Sequence, residues 1–505
     1  MLKLADIFQI NMVLQREKPL RIWGTTDPGE KVTVCIQGKT AYAAADANGT
    51  FVVVTEPLRA SNEETLLVKT QTESLILTHV AVGEVWIAGG QSNMEFFMAF
   101  EKHLPDALAL APNPSIRFYD VPEIAFDGQE DCFDYSEVGI WRSADADNIP
   151  WFSAVGYYFA QRIHTALEVP VGIIGCNWGG TRAASWMKPE TVRKVGPFWL
   201  DVFQKALNGT SLDAYYEAQR HNPMNDRGRL LDNPFYQFMM PKTPTPEECF
   251  AFLSSIGEGP ENFGTSLLPE NVPGSLYTHM LLPIGGFTAR GVLWYQGESD
   301  DDVEGGPSLY SRMLSAMIRD WRSLWDDSLP FLLVQLPGFE RWLESVNHDY
   351  VTIRQAQQQV ADETESVYLC AIGDVGERYD IHPKDKKTVG NRLALLALSH
   401  LYGQLVLGDA PRLRTAYRDE GCILLCFDHA GDGLRVQGDA LEALTLRANG
   451  DALAYTWDIS GDTMRITPKQ IPDAAITVSH ARTAWYRINL FNSAGIPALP
   501  FEICV

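Results

Sequence analysis

The chain is predicted to be an α/β protein: a mainly parallel sheet covered by helices on both faces, preceded and followed in sequence by β-rich domains. Three observations predict this. The first eighty residues alternate with the period of strands, the stretch from about Gly83 alternates strand with helix, and short strands return from about Leu405. At 505 residues the chain exceeds what one core normally organises, so two or three domains are expected. The expected division is an N-terminal β-domain over 1–80, an α/β domain over 81–403 with an insertion over about 198–274, and a C-terminal β-domain over 404–505.

In the first domain "KVTVCIQG" puts Val32, Val34 and Ile36 on one face, and "ADANGTFVVV" sets Asn48-Gly49 where a hairpin turn needs positive φ. A small sandwich is the expected outcome. The strand "EVWIAGG" opens the second domain. A helix is expected around Phe152 to Ala166, with Val155, Phe159 and Ile163 on one side, leading into the strand "VGIIG". The same grammar recurs in the strand "GVLWYQG", a helix from Leu309 to Leu324 presenting Leu309, Met313, Met317, Trp321 and Leu324, and the strand "FLLVQL". A helix near Val351 to Val360, the strand "SVYLCAI" and a last helix with Val389, Leu393 and Leu396 facing inward complete it. Between Phe198 and Gly274 the rhythm breaks into Pro, Gly and irregular aromatics over a length too great for an ordinary connection. Two readings stay open for it, a helical insertion beside the active-site face and a partly ordered surface excursion. The strands "CILLCF", "MRITP" and "AITVSH" build the closing β-domain.

Composition narrows the function. Lys and Arg total 41 against 64 Asp and Glu, a formal charge of -23, and no basic cluster marks a nucleic-acid surface. Nucleic acid is not an expected partner. No stretch approaches a membrane-spanning length, so no membrane association is expected either. The opening "MLKLADIFQINMVLQREK" carries Asp6 inside its apolar start and does not read as a secretory signal. The eight cysteines (Cys35, Cys132, Cys176, Cys249, Cys370, Cys422, Cys426, Cys504) form no CxxC pair and have no His partners at zinc spacing. Buried thiols in a reducing, cytoplasmic compartment are the expectation. Oligomeric state leaves no mark in the sequence, and a homodimer is one option.

In an open parallel sheet, ligands bind where the carboxyl ends of the strands meet the following loops. Four such loops carry unusual residues: "GGQSNM", "CNWGGTRAASW", "QGESD" and "GDVGERYDIHPKDK". Ser92 stands where a tight strand-to-helix turn would expose its hydroxyl, although Met94 occupies the place of the second glycine in a G-x-S-x-G elbow. By itself such a serine is more often a helix N-cap than a nucleophile. His382, in a polar loop with Asp380 two residues before it, shifts the balance. A serine needs a neighbouring base to take its proton, and the base needs a carboxylate to stabilise the imidazolium. Gly179 and Gly180 let backbone N–H groups approach a substrate, and Gln296 offers an amide donor, so these loops could hold a developing oxyanion. A simple turn at the glycines and a strand-end cap at Gln296 are the plainer alternatives.

Together "GQSNM", "NWGGT", "WYQGESD" and "DIHPKDKKTVGNRLA", in this order, resemble the sialate O-acetylesterase group of the SGNH hydrolases, which includes acetylesterases for other carbohydrates. "NMVLQREKPLRIWGTTDPGEKVTV", "SLYTHMLLPI" and "YRINLFNSAGIPALPFE" extend the resemblance over nearly the whole chain. The resemblance implies a flavodoxin-like SGNH three-layer αβα domain, flanked by β-sandwich-type domains. It implies an O-acetylated carbohydrate as substrate, with no metal or organic cofactor. It makes Ser92 the nucleophile and His382 the general base. Ser92 N–H, a backbone N–H from Gly179 or Gly180 and the Gln296 side chain become the oxyanion hole. The acid that many relatives carry three residues before the histidine is Tyr379 here, so Asp380 is the expected acid, with Asp374 or a Ser-His dyad as alternatives. Trp178, Arg182 and Trp186 are candidates for holding the sugar, by stacking or by pairing a sialate carboxylate. Asn93 is expected to support the turn.

Overall fold

The computed structural model describes residues 1–222, 225–228, 230–241, 244–255, 267–342, 345–346, 348–470 and 472–505. It divides into two compact units, Met1–Ser299 with Leu309–Phe331, and Asp300–Ser308 with Leu332–Val505. Neither expected boundary separates them. The first falls inside the 17-residue strand Ser74–Gly90. The first half of that strand alternates exposed and half-buried residues and pairs antiparallel with Ser61–Lys69. Its second half, "VAVGEVWIAGG", is a continuous apolar run, as a strand buried on both faces requires, and pairs in parallel with Val171–Asn177 and Gly291–Tyr295. One strand therefore serves two sheets, because its sequence changes pattern without a turn residue between.

The N-terminal segment forms strands in two sheets. Lys3–Leu4, Arg21–Thr25 and Thr50–Val54 make one sheet, and Lys31–Ile36, Lys39–Ala44 and Ser61–Lys69 extend the other. Val32, Val34 and Ile36 are buried as the alternation predicted.

In the parallel sheet of the first unit the order is Arg142–Ala144, Asn113–Asp120, Val171–Asn177, Ser74–Gly90, Gly291–Tyr295, with only Arg142–Ala144 antiparallel to its neighbour. The helix Ala154–Leu167 starts at Ser153, whose Oγ accepts the Gly156 N–H at 3.1 Å and donates to the Met94 carbonyl at 2.6 Å. The helix Tyr310–Trp325 buries Met313, Leu314, Met317 and Trp321. The expected insertion is helical over Pro197–Leu207, Leu212–Arg220, Pro234–Met239 and Pro246–Ser255. Its residues 223–224, 229, 242–243 and 256–266 lie outside the described residues.

In the second unit the Gln335 N–H donates to the Cys370 carbonyl at 3.0 Å, beside the strand Val367–Cys370, and the helices Tyr350–Glu363 and Lys386–His400 follow the expected order. After His400 the chain turns to strands. Two four-stranded sheets, built around Cys422–Asp428 and Leu444–Ala448, enclose Ile423, Leu425, Phe427, Leu446, Met464, Ile466, Val478 and Leu490. Among the described residues no helix is long and apolar enough to cross a membrane.

Candidate active site

The strand carrying the first motif ends at Gly90, whose φ is +136° and where a Cβ would stand 2.1 Å from the Tyr295 carbonyl oxygen. Only glycine allows this approach, which lets the Gln91 N–H donate to that oxygen at 3.0 Å. A single helical turn, Ser92–Glu95, follows. Gln91 holds the N-cap position, its carbonyl accepting the N–H groups of Met94 and Glu95 at 2.7 and 3.0 Å. Ser92 is therefore the first residue of the turn, and the N-cap role belongs to its neighbour. Gln91, Asn93, Met94 and Glu95 are all buried, whereas Ser92 retains exposed surface.

The third loop is fastened to this turn by amides. Gln91 donates to Ser299 Oγ at 3.2 Å and accepts from the N–H groups of Gly297 and Ser299 at 3.3 Å each. Asn93 Nδ2 donates to Glu298 Oε1 at 2.6 Å, the supporting role expected of it. Gln296, expected to reach an oxyanion, lies among these amides. It is fully buried, and its amide nitrogen donates to Gln91 Oε1 at 3.2 Å and to the Thr181 carbonyl at 3.1 Å. The Tyr310 hydroxyl donates to its carbonyl oxygen at 3.0 Å. With these bonds Gln296 ties three segments together.

The second loop lies directly against the serine. The Trp178 N–H donates to the Gly90 carbonyl at 3.1 Å, and a Cβ on Gly179 would stand 3.2 Å from Ser92 Cβ and 3.0 Å from Glu95 Oε2. The Gly179 N–H donates to that same Glu95 carboxylate. Of the two expected backbone donors, Gly179 is thus engaged away from a substrate. Gly180 has φ +73°, its carbonyl accepts Asn271 Nδ2 at 2.9 Å, and among the described residues other than its chain neighbours no atom lies within 4 Å of where its Cβ would be.

The expected sugar-holding residues are part of the core instead. Trp186 is fully buried, edge-on to Trp294 at 6.2 Å, and its indole N–H donates to Thr181 Oγ1 at 3.0 Å. Trp178 is buried beneath the Arg227 guanidinium, 5.1 Å from its ring. Arg182 is buried with its guanidinium 4.6 Å over the Trp199 ring and its Nε directed at the Ser299 carbonyl at 3.4 Å.

Glu95 and the residues around it were missed in the sequence. Besides Gly179, its carboxylate meets Arg227 Nη2 at 3.3 Å and the Tyr236 hydroxyl, both from the insertion. Arg227 also pairs with Glu123. Burial is the largest influence on Glu95 and on Glu123 and lifts both carboxyls above their ordinary range, while Arg227 between them pulls the other way. An acid between Met94 and Phe96 in an apolar run was the available signal; nothing local marks Arg227 or Tyr236.

His382 and Asp380 belong to the second unit and are both buried. His382 Nδ1 lies 4.0 Å from Asp380 Oδ1, which accepts the His382 backbone N–H at 2.8 Å, while Asp380 Oδ2 pairs with Lys384 at 3.0 Å. The acid thus acts on the imidazole through its field rather than through a hydrogen bond to Nδ1. Burial is the largest influence on His382; Asp380 opposes it, Lys384 and Lys386 reinforce it, and the pKa falls to about 3. Burial would raise Asp380, but Lys384 and His382 outweigh it and hold the carboxyl below its ordinary value. Trp342 packs edge-on against the imidazole at 5.1 Å. Asp374, the alternative acid, is held in a two-pronged ion pair by Arg392 at 2.6 and 2.8 Å, and so is committed elsewhere.

Comparison with known proteins agrees with these motifs. Residues 263–399 match the family model described as "Carbohydrate esterase, sialic acid-specific acetylesterase". The sialate O-acetylesterase of Mus musculus is 26% identical over 472 residues, covering 84% of this chain and 79% of its own length. The Homo sapiens sialate O-acetylesterase is 24% identical, covering 80% of this chain and 71% of its own length. Among solved structures, a carbohydrate acetylesterase from Xanthomonas citri superposes with a TM-score of 0.75 at 26% identity and covers 99% of both chains. The serine turn and the loops fastened to it thus lie in a chain that is similar, over most of its length, to sialate O-acetylesterases and to a carbohydrate acetylesterase.

Proposed function

We propose that deacetylation runs through an acetyl-serine on Ser92. Ser92 Oγ attacks the acetyl carbonyl as His382 takes its proton, and the resulting tetrahedral oxyanion is held by the N–H groups of Ser92 and Gly180. The imidazolium then protonates the departing sugar oxygen, and a water activated by His382 releases acetate. Asp380 stabilises the imidazolium across 4.0 Å. The observation that carries this reading is the Gly90–Glu95 turn, in which Ser92 alone keeps exposed surface and Gly179 leaves room beside it. The reading takes the parallel strands and their helices as a flavodoxin-like SGNH three-layer αβα domain.

The substrate in this reading is an O-acetylated sialic acid, as for the sialate O-acetylesterases, or an acetylated plant xylo- or mannooligosaccharide handled by the same steps. Burial takes Arg182 of the second loop away from a sialate carboxylate, while Arg378 of the fourth loop is half-exposed and paired with Glu340. Free cysteines throughout the described residues accord with a reducing compartment, so the cytoplasm is proposed as its location, to be tested by fractionation.

Ser92→Ala is expected to abolish acetate release from a chromogenic acetyl ester while leaving the circular dichroism spectrum unchanged. Activity retained in a folded Ser92→Ala protein would sink the mechanism, whereas a folded parent protein that binds acetylated sugars and never releases acetate would point to a non-catalytic carbohydrate-binding role.

A further inference from the structure

We propose that Glu95 is a positioning residue for the oxyanion turn, accepting the Gly179 N–H so that Gly180 presents the second donor, and that the insertion holds Glu95 through Arg227 and Tyr236. The inference rests on Ser92 being the nucleophile. It begins from a cost. A carboxylate as buried as Glu95, only 3% exposed, is expensive unless paired and hydrogen-bonded. What the carboxylate does there is specific. Oε2 accepts the N–H of the residue that touches Ser92, and Oε1 receives the Arg227 guanidinium and the Tyr236 hydroxyl.

Gly179 is fixed from two sides. Its N–H is held by Glu95, and the absent Cβ would stand 3.2 Å from Ser92 Cβ and 3.0 Å from Glu95 Oε2, so a larger residue would crowd both. The next residue then takes φ +73°, and Asn271 holds its carbonyl at 2.9 Å. The peptide between Gly179 and Gly180 thereby lies between two pinned ones, the preceding peptide held through its N–H by Glu95 and the following one through its carbonyl by Asn271, which preorganises the Gly180 N–H before substrate arrives.

Arg227 and Tyr236 explain why the insertion is attached here by polar groups. Arg227 donates to the Tyr236 hydroxyl at 2.6 Å, pairs with Glu95 and Glu123, and lies 5.1 Å over the rings of both Trp178 and Tyr236. Loss of this support would loosen the turn, not the substrate's grip.

The test compares Glu95→Ala, Glu95→Gln and Tyr236→Phe in the full chain on a chromogenic acetyl ester, with Ser92→Ala alongside. Glu95→Ala is expected to lower kcat about 100-fold, the loss typical of one oxyanion donor, with KM within about threefold of the parent. Glu95→Gln, whose amide oxygen can still accept the Gly179 N–H, is expected to recover kcat to within about tenfold of the parent. Should Glu95→Ala fail to fold, Tyr236→Phe decides: it keeps the ring and removes one donor, and kcat is expected to fall about three- to tenfold at unchanged KM. A Glu95→Ala kcat within about threefold of the parent, a loss carried by KM, or no recovery in Glu95→Gln overturns the inference; for a chain that needs the fallback, so does an unaltered Tyr236→Phe. If Ser92→Ala is inactive while Glu95→Ala is fully active, only the positioning role fails; if Ser92→Ala is active, the catalytic reading fails first.

Discussion

His382 shows how far surroundings can move one residue. An imidazole ordinarily titrates at 6.5, and burial brings this one to about 3. A depressed value keeps the ring neutral, hence able to accept a proton, well into the acid range. The acid limb of kcat/KM is therefore expected below 6.5, and a limb at or above that value in the pH–rate profile would contradict it. Two variants test the sign. Asp380→Asn removes the group that raises the imidazole and is expected to move the limb further down, whereas Lys384→Met removes one that lowers it and is expected to move the limb up. Stability follows the same sense: the unfolded histidine binds a proton between 6.5 and 3 and the folded one does not, so this contribution is complete above 6.5 and is lost as pH falls toward 3. At this scale the sequence was legible where residue type and loop position suffice. Ser92, Gly90 and the glycine pair are set by the turn they form. Gln296, Trp178, Arg182 and Trp186 stand in the expected loops, but which partner consumes a buried amide or guanidinium depends on Gln91, Thr181, Arg227 and Trp199, each distant in sequence from at least one of them.

Elements were more legible than contacts. The helices at Ala154–Leu167 and Tyr310–Trp325 fall within two residues of the ranges their apolar spacing predicts, because burial of one face decides both. The strand Asn113–Asp120 was missed, since Pro114 opens it and Arg117 interrupts its apolar run. Arg117 is nonetheless buried, its guanidinium donating to the Asn11 carbonyl at 2.9 Å, a partner the pattern of a strand does not reveal. Ser153 joins the element scale to the candidate site: it caps its helix and also donates to the carbonyl of Met94, in the turn that carries Ser92. Ser153→Ala removes both bonds and leaves a buried carbonyl without its hydroxyl donor. A loss of about 1–3 kcal/mol is expected from these two effects, read as a lower urea midpoint for the first unit's transition. An unchanged midpoint would mean the cap contributes nothing to this helix.

The whole molecule carries a formal charge of -23, and a field of that sign acts on any charged substrate before it reaches the site. This separates the two substrate classes without reference to any single residue. An O-acetylated sialic acid is an anion and is repelled on approach, whereas an acetylated xylo-oligosaccharide is neutral and indifferent to the field. Salt shortens the range of the repulsion to about 10 Å at 0.1 M. Raising ionic strength from about 0.02 to 0.2 M should therefore increase kcat/KM for the anionic sugar by about two- to tenfold and leave the neutral one unchanged. Parallel acetate-release assays on the two sugars at both salt concentrations measure this directly. A rise for the sialate alone fixes the field of the whole chain as a barrier that a sialate-specific enzyme would have to overcome. The same flat response for both sugars would instead mean that local positive groups cancel the field at the mouth of the site, and the case from charge for a neutral substrate would fall.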